Sequence, residues 1–203
     1  PAEDAQEEPR VLVHTKKTDQ THFMVGVRTF DMFSKDRYAL SLLATILGGG
    51  MSSRLFTEVR ERRGLAYRVS TGAEAYHDVG YLATYAGVEH ENFEKALKII
   101  LKEYKKIARN GVETKELKKA KEHMKGRMAM GLESSDDIAE YVTTQEMMRD
   151  EITLPEEVSK RIDRVRPADI KRVAKEIFTN DKLNLSVISP SVSEAKAVEL
   201  LKL

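Results

Sequence analysis

The run GGGMSSRLFTEVRERRGLAYRV, residues 48–69, combines three glycines, a short arginine-rich helix and a tyrosine at the start of a strand. Ser52 or Ser53 is positioned to cap the helix, and Gly64 can adopt the left-handed backbone that ends it. The inward face of this helix is predicted to consist of Leu55, Phe56 and Val59. Glycines and arginines together suggest two kinds of binding site, a phosphate-binding loop and a nucleic-acid-binding surface. The rest of the sequence distinguishes between these two possibilities.

Upstream of this run, two segments rich in β-branched and aromatic residues predict strands, RVLVHT (residues 10–15) and THFMVGVRTF (residues 21–30), joined through the polar KKTDQ. Ser34 is predicted to cap a helix through SKDRYALSLLATILG, because the apolar residues of that segment recur on one wide face. The glycine triplet is expected to end this helix in the left-handed C-cap geometry that glycine accepts.

Downstream, LAYRVSTGAEAY (residues 65–76) and GYLATYAGVE (residues 80–89) predict an antiparallel hairpin. A long helical block follows, in which Pro155 and Pro167 each stand where a first helical turn begins. KLNLSVISP predicts a last strand and SEAKAVELLKL a final helix. The order predicts an α+β fold with a mainly antiparallel sheet and helices packed on one face.

Composition places the chain among globular proteins: of 203 residues, 41% are hydrophobic and 33% charged. A formal charge of +1 argues against a dedicated nucleic-acid binder, and no apolar run is long enough for membrane insertion. The absence of cysteine fits a reducing compartment and favours the cytoplasm, although a periplasmic or organellar protein is equally compatible. Residues 1–9 are acidic and aperiodic, which predicts a linker tail from a longer chain; residues 10–203 then form a single domain.

The sequence motifs of most self-contained active sites are incomplete or absent in this chain. The glycines follow a helix and no lysine succeeds them, so the P-loop pattern fails. Glu122 and His123 match half of an H-x-x-E-H zinc motif, but the first histidine is replaced by Lys119, a cation that cannot bind zinc there. The remaining histidines lack paired helical spacing, and no nucleophile elbow is present. No metal site and no cofactor are therefore expected in this chain.

The glycine-to-tyrosine run resembles the zinc-free half of the pitrilysin/insulinase family of zinc peptidases, the inverzincins, in their processing-peptidase-like branch. THFMVGVRTF with its following helix, GYLATYAGV, and the segment from NFEKALKII to GLES are similar to that half in order and character. The resemblance implies two similar α+β halves that close on an unfolded peptide. Zinc is then expected in the partner half, which carries H-x-x-E-H either as the N-terminal part of the same chain or as a separate catalytic subunit.

The resemblance also implies that this half supplies an arginine and a tyrosine seven residues apart, which are Arg60 and Tyr67 here. Arginine offers several fixed donors to peptide carbonyls, and a tyrosine hydroxyl can stabilise a developing oxyanion. Arg60 and Tyr67 are therefore predicted to bind substrate, and Tyr67 to act in catalysis. The chain alone should hydrolyse nothing. An assembly subunit derived from such a peptidase, without catalytic function, is the alternative.

Overall fold

The computed structural model describes residues 5–149 and 151–203. Five strands in that part form one sheet: β1 (Arg10–Thr15), β2 (Thr21–Thr29), β3 (Ala66–Ala75), β4 (Gly80–Val88) and β5 (Leu183–Ser189). Its α-helices are α1 (Arg37–Gly48), α2 (Phe93–Asn110), α3 (Thr114–Met130), α4 (Ser135–Arg149), α5 (Pro155–Arg164), α6 (Pro167–Ile177) and α7 (Glu194–Leu200). Shorter helical segments are the π-helix Phe56–Glu61 and the 3₁₀ turns His90–Asn92 and Asn180–Lys182.

The sheet has the strand order β1-β5-β2-β4-β3. Strand β2 pairs antiparallel with both β4 and β5, and β3 pairs antiparallel with β4, whereas β1 runs parallel to β5. The sheet is therefore mixed and mainly antiparallel, so the predicted α+β class and the predicted hairpin are confirmed. Residues 16–20 connect β1 to β2 in sequence, but the connection is not a hairpin because β5 lies between the two strands.

The core lies between the sheet and the helices. Phe23, Val25 and Val27 of β2 point into it and are almost fully buried. Helix α1 packs on β3, α2 on β4 and α6 on β2, which closes this face of the sheet. Alternate residues point to the opposite face, where Leu12 and Met24 remain exposed.

A chain of hydroxyl groups crosses the core beneath α2. The Tyr104 hydroxyl lies 2.6 Å from Thr84 Oγ1, which lies 2.7 Å from Thr71 Oγ1. Tyr104 also donates to the Val25 carbonyl at 3.3 Å, and its ring stacks on Phe178 with centroids 4.3 Å apart. Burial raises the pKa of Tyr104 far above the ordinary value of a phenol. The hydroxyl therefore stays protonated and links three strands to α2.

The glycine triplet ends α1 by close packing, so the predicted left-handed C-cap is wrong. Gly49 at the cap has φ −79°, and the glycines with positive φ among the described residues are Gly64 and Gly111. A Cβ atom on Gly48 would lie 2.4 Å from the backbone nitrogen of Thr71. Glycine is needed here because the end of the helix touches the backbone of β3.

Helix starts are only partly as predicted. Pro155 and Pro167 are the first residues of α5 and α6, as expected from their fixed φ and missing N–H. Ser34 does not cap α1, because the helix begins at Arg37 with Asp36 as its N-cap. The Ser34 hydroxyl instead accepts a hydrogen bond from the backbone nitrogen of Asp36 at 3.2 Å, within the preceding turn.

The predicted linker tail lies partly outside the described residues, which begin at residue 5. Residues 5–9 form neither helix nor strand, yet Gln6 is buried. Its side-chain amide donates to the carbonyl of Leu183 at 2.9 Å and accepts from Asn184 at 3.0 Å, which ties this segment to the start of β5. None of the helices described is long and apolar enough to cross a bilayer.

Candidate functional site

The segment between α1 and β3 begins as an α-helical turn at Arg54 and widens into the π-helix Phe56–Glu61. Leu55 and Val59 are fully buried, as the apolar pattern predicts, whereas Phe56 is only partly buried. The hydroxyl of Ser53 donates to the Gly50 carbonyl at 2.6 Å, so its predicted capping role is wrong. Single π-turns are frequent at functional sites, because the extra residue shifts the side chains that follow it around the axis.

Arg54 fixes the start of this segment to two long helices. Its guanidinium donates to both carboxylate oxygens of Glu116 on α3 at 2.7 Å and to the Gly111 carbonyl at 3.2 Å. Glu103 of α2, which is almost fully buried, lies 3.9 Å from the same guanidinium. Arg54 therefore has a structural role, which removes it from any nucleic-acid-binding patch.

Glu58 neutralises two of the neighbouring arginines. Its carboxylate accepts hydrogen bonds from Arg62 and Arg63, each at 2.5 Å. The hydrogen bond from Arg63, assisted by the charge of Arg62, holds the pKa of Glu58 below its usual range. The arginine run is thus largely paired within itself, so it does not form a basic surface for a polyanion.

Arg60 differs from these neighbours. No carboxylate among the described residues pairs with it, and its guanidinium carbon lies 4.9 Å from the centroids of both the Phe56 and the Tyr67 rings. The side chain of Tyr67 is 79% exposed. The helix–turn–strand corner therefore brings Arg60 and Tyr67 into direct contact, as expected from their spacing, with the phenol facing solvent.

Two backbone irregularities create this contact. Gly64 has φ +59°, and its N–H donates to the Arg60 carbonyl at 3.0 Å, which ends the helical segment in a left-handed turn. Strand β3 then contains a bulge, since Ala66 pairs with Val88 while Arg68 pairs with the next residue, Gly87. Tyr67 is the extra residue, and a bulge of this kind redirects a side chain out of the regular alternation.

Next to this bulge lies an exposed residue that the sequence did not place in the candidate substrate site. Arg68 follows Tyr67 directly, and its guanidinium carbon lies 5.6 Å from the centroid of the Tyr85 ring on β4. The Tyr85 hydroxyl lies 2.8 Å from Nδ1 of His22 on β2, and the two rings stack with centroids 6.1 Å apart. These residues come from β3, β4 and β2, and the register of the sheet brings them together.

Neither of two large surface concavities contains the Arg60–Tyr67 pair. One, of about 540 Å³, lies between α1, α4 and the end of β3 and is lined by Tyr38, Met124 and Tyr141. The other, of about 650 Å³, lies on the sheet face opposite the helices, over Gly26 and Ala83. Arg60 and Tyr67 stand on an open corner, so the described residues do not by themselves enclose a substrate around them.

His22, His90 and His123 form hydrogen bonds to protein groups on other elements. His123 Nε2 lies 3.2 Å from the Gly49 carbonyl, and Glu122 pairs with Lys125 at 2.8 Å. His90 contacts the Thr21 hydroxyl at 2.9 Å. Within residues 5–149 and 151–203, no group of three or more histidine or carboxylate side chains is arranged to hold a metal ion. The described residues therefore do not fit zinc.

The family model of the peptidase M16 inactive domain matches residues 1–124, which is more than half of the chain. The chain belongs to the peptidase M16 family. A curated relative of this M16 domain, an uncharacterized zinc protease of Streptomyces coelicolor, is 34% identical over 181 residues, covering 89% of this chain and 39% of the relative. The recognition of a zinc-free pitrilysin/insulinase-type half is thereby confirmed.

Two solved structures share the fold of the M16 domain. The inactive M16 domain of Pseudomonas fluorescens has a TM-score of 0.80 at 25% identity, over 93% of this chain and 45% of that one. A protease of Helicobacter pylori has a TM-score of 0.81 at 23% identity, over 91% and 45%. The M16 domain thus spans less than half the length of the curated relative and of both solved structures.

Proposed function

We propose that this M16 domain is the substrate-binding, non-metal half of a zinc metalloendopeptidase. The observation that carries the proposal is the Arg60–Tyr67 contact. A guanidinium without a carboxylate partner among the described residues lies 4.9 Å from the ring of an exposed tyrosine. Both side chains keep hydrogen-bond donors available to a ligand arriving from solvent.

The chemistry of the pair fits a peptide undergoing hydrolysis. Stacking against two aromatic rings orients the Arg60 guanidinium while its N–H groups remain able to donate to backbone carbonyls of an extended peptide. The Tyr67 hydroxyl can donate to the carbonyl oxygen of the scissile bond as that oxygen becomes negative. Zinc, held by the partner half, would supply the activated water and polarise the same carbonyl.

The partner half is part of the proposal. The curated relative is about two and a half times as long as the aligned domain, and it is named as an uncharacterized zinc protease. A zinc-bearing H-x-x-E-H half, on the same polypeptide or on a second one, would close over the open corner. An unfolded peptide would then lie between the two halves, with Arg60 and Tyr67 on one wall.

The test uses the assembled two-half enzyme and a fluorogenic peptide. Tyr67→Phe is expected to lower kcat by about a hundredfold, the usual effect of removing one oxyanion donor, with zinc content and melting temperature unchanged. Arg60→Gln is expected to raise KM or lower kcat/KM, whereas Arg62→Gln, an arginine paired with Glu58, serves as the matched control and should be neutral.

Unaltered turnover in Tyr67→Phe would remove that residue from the mechanism. If the wild-type assembly contains zinc and binds peptides but cleaves none, the alternative of a non-catalytic assembly subunit gains support. If Arg60→Gln and Arg62→Gln behave alike, the contact with Tyr67 is a packing feature of the corner.

A further inference from the structure

A second cationic side chain, that of Arg68, directly follows Tyr67 in β3. Arg68 stands opposite Gly87 in the sheet, and Gly87 stands opposite His22. Gly87 contributes no side chain between the two, and a Cβ there would approach His22 Nδ1 to 3.2 Å. Tyr85 completes the group, contacting His22 by a hydrogen bond and Arg68 by its ring. Arg68, Tyr85 and His22 thus form a cluster of polar side chains around Gly87, which has no side chain of its own.

The electrostatics of this cluster favour an anion. No carboxylate among the described residues lies within ion-pairing distance of Arg68, in contrast to Arg54, Arg62 and Arg63, which are all paired. An arginine that stacks on a ring keeps N–H donors at the edge of its plane, where they can engage both oxygens of a carboxylate. When Tyr85 donates to Nδ1 of His22, the opposite ring nitrogen carries the proton and is also a donor.

We infer that Arg68, Tyr85 and His22 form a subsite for a carboxylate of the peptide substrate, next to the residues that contact the scissile bond. This inference rests on the proposed function and extends it, because it assigns substrate preference to a residue that the sequence analysis did not select. Arg68 and Tyr67 are consecutive, so the bound carboxylate belongs to a residue near the cleaved bond. That carboxylate is either the side chain of Asp or Glu or the free C-terminus of the peptide.

The test compares peptides that differ only in charge. In one series, a single Glu is moved through the positions on both sides of the scissile bond, with Gln at the same position as the neutral partner. In a second series, the same peptide carries a free or an amidated C-terminus. The assembled enzyme is expected to cleave the carboxylate form with about tenfold higher kcat/KM at one position, and Arg68→Gln to remove that difference while cleaving the neutral form normally.

The peptide series in which the preference appears identifies the source of the carboxylate. A Glu/Gln preference indicates an acidic side chain, and a free/amide preference indicates the peptide C-terminus. Arg68→Glu should reverse the preference towards a Lys-containing peptide, and raising ionic strength should weaken the wild-type preference because exposed charges are screened. Arg62→Gln, whose parent arginine is already paired, should keep the wild-type preference.

A binding measurement separates this inference from the proposed function. With zinc removed by a chelator, the assembled enzyme cannot hydrolyse peptides, and the anisotropy of labelled Glu and Gln peptides reports affinity alone. Tighter binding of the Glu peptide that disappears in Arg68→Gln supports the subsite whether or not Tyr67 acts in catalysis. Equal losses for charged and neutral peptides would instead mean that Arg68 pairs with the zinc-bearing half, and the subsite would be refuted. Wild-type enzyme that does not discriminate in either series would refute it as well.

Discussion

Tyr104→Phe tests the buried hydroxyl chain and has a definite dependence on pH. The substitution removes the bond to Thr84 at 2.6 Å and the longer one to Val25, but leaves the ring stacked on Phe178. Thr84 keeps its bond to Thr71, so only one strong hydrogen bond is lost. At pH 8 the variant should therefore be less stable than the parent by about 1 to 1.5 kcal/mol.

The sign of the pH effect follows from the raised pKa of Tyr104. The folded state keeps its proton at a pH where the unfolded chain, with a phenol pKa of about 10, has lost its own. Above about pH 10 the unfolded state binds fewer protons, so the contribution of Tyr104 to stability falls as pH rises. At pH 11 this linkage costs the parent about 1.4 kcal/mol, an amount the Phe variant does not lose.

The two proteins should therefore be nearly equal in stability at pH 11. Urea unfolding followed by circular dichroism at pH 8 and pH 11 measures the difference directly, and comparing variant with parent cancels the titration of all other groups. As a control, Tyr67→Phe removes a hydroxyl that is already in solvent, so its stability should stay close to that of the parent at both values. A Tyr104→Phe difference that remains constant between pH 8 and pH 11 would refute the reasoning.

Two further substitutions probe the framework that holds the candidate site. Gly48→Ala should lower the free energy of unfolding by about 1 to 3 kcal/mol, because its Cβ would lie 2.4 Å from the Thr71 backbone. Gly126→Ala, within α3 and with no atom within 4 Å of the new Cβ, should instead stabilise by about 0.5 to 1 kcal/mol; thermal melts of both distinguish packing from helix propensity. Arg54→Met should cost about 1 to 3 kcal/mol in urea unfolding because it removes both hydrogen bonds to Glu116 and one of the two cations beside the buried Glu103 carboxylate, leaving Lys106 at 3.5 Å. A loss no larger than that of exposed Arg62→Gln would contradict the anchoring role of Arg54.

Local sequence signals predicted most of the elements correctly. The alternation in residues 65–76 and 80–89 was sufficient to predict the hairpin, and the prolines at 155 and 167 predicted two helix starts. The glycine triplet predicted the end of α1 but not its geometry, because the requirement is contact with Thr71 and not a left-handed backbone. The hydroxyls of Ser34 and Ser53 form hydrogen bonds within nearby turns instead of capping helices. Short polar side chains can do either, and sequence alone does not resolve which they do.

In the candidate site, too, local sequence predicts one part and not the other. Between Arg60 and Tyr67 the helical segment ends in a left-handed turn at Gly64. The proximity of the two side chains therefore follows from local geometry. The bulge at Tyr67 has no local signal, since it depends on the register between β3 and β4. Arg68, Tyr85 and His22 come together only through that register and the pairing of β4 with β2. Contacts between residues on different strands form only when the sheet is assembled, so the sequence alone does not predict them.

Strand β5 occupies an interior position of the sheet although it is the last strand in the chain, flanked by β2 on one side and β1 on the other. While the polypeptide is being synthesised, β1 therefore has no neighbour and β2 presents an open row of backbone donors and acceptors until residues 183–189 have left the ribosome. An open strand edge is a template for pairing with other chains, so we expect incompletely translated molecules to aggregate more readily than the complete domain. Chaperones that shield the edge of β2 should therefore raise the yield of the native domain.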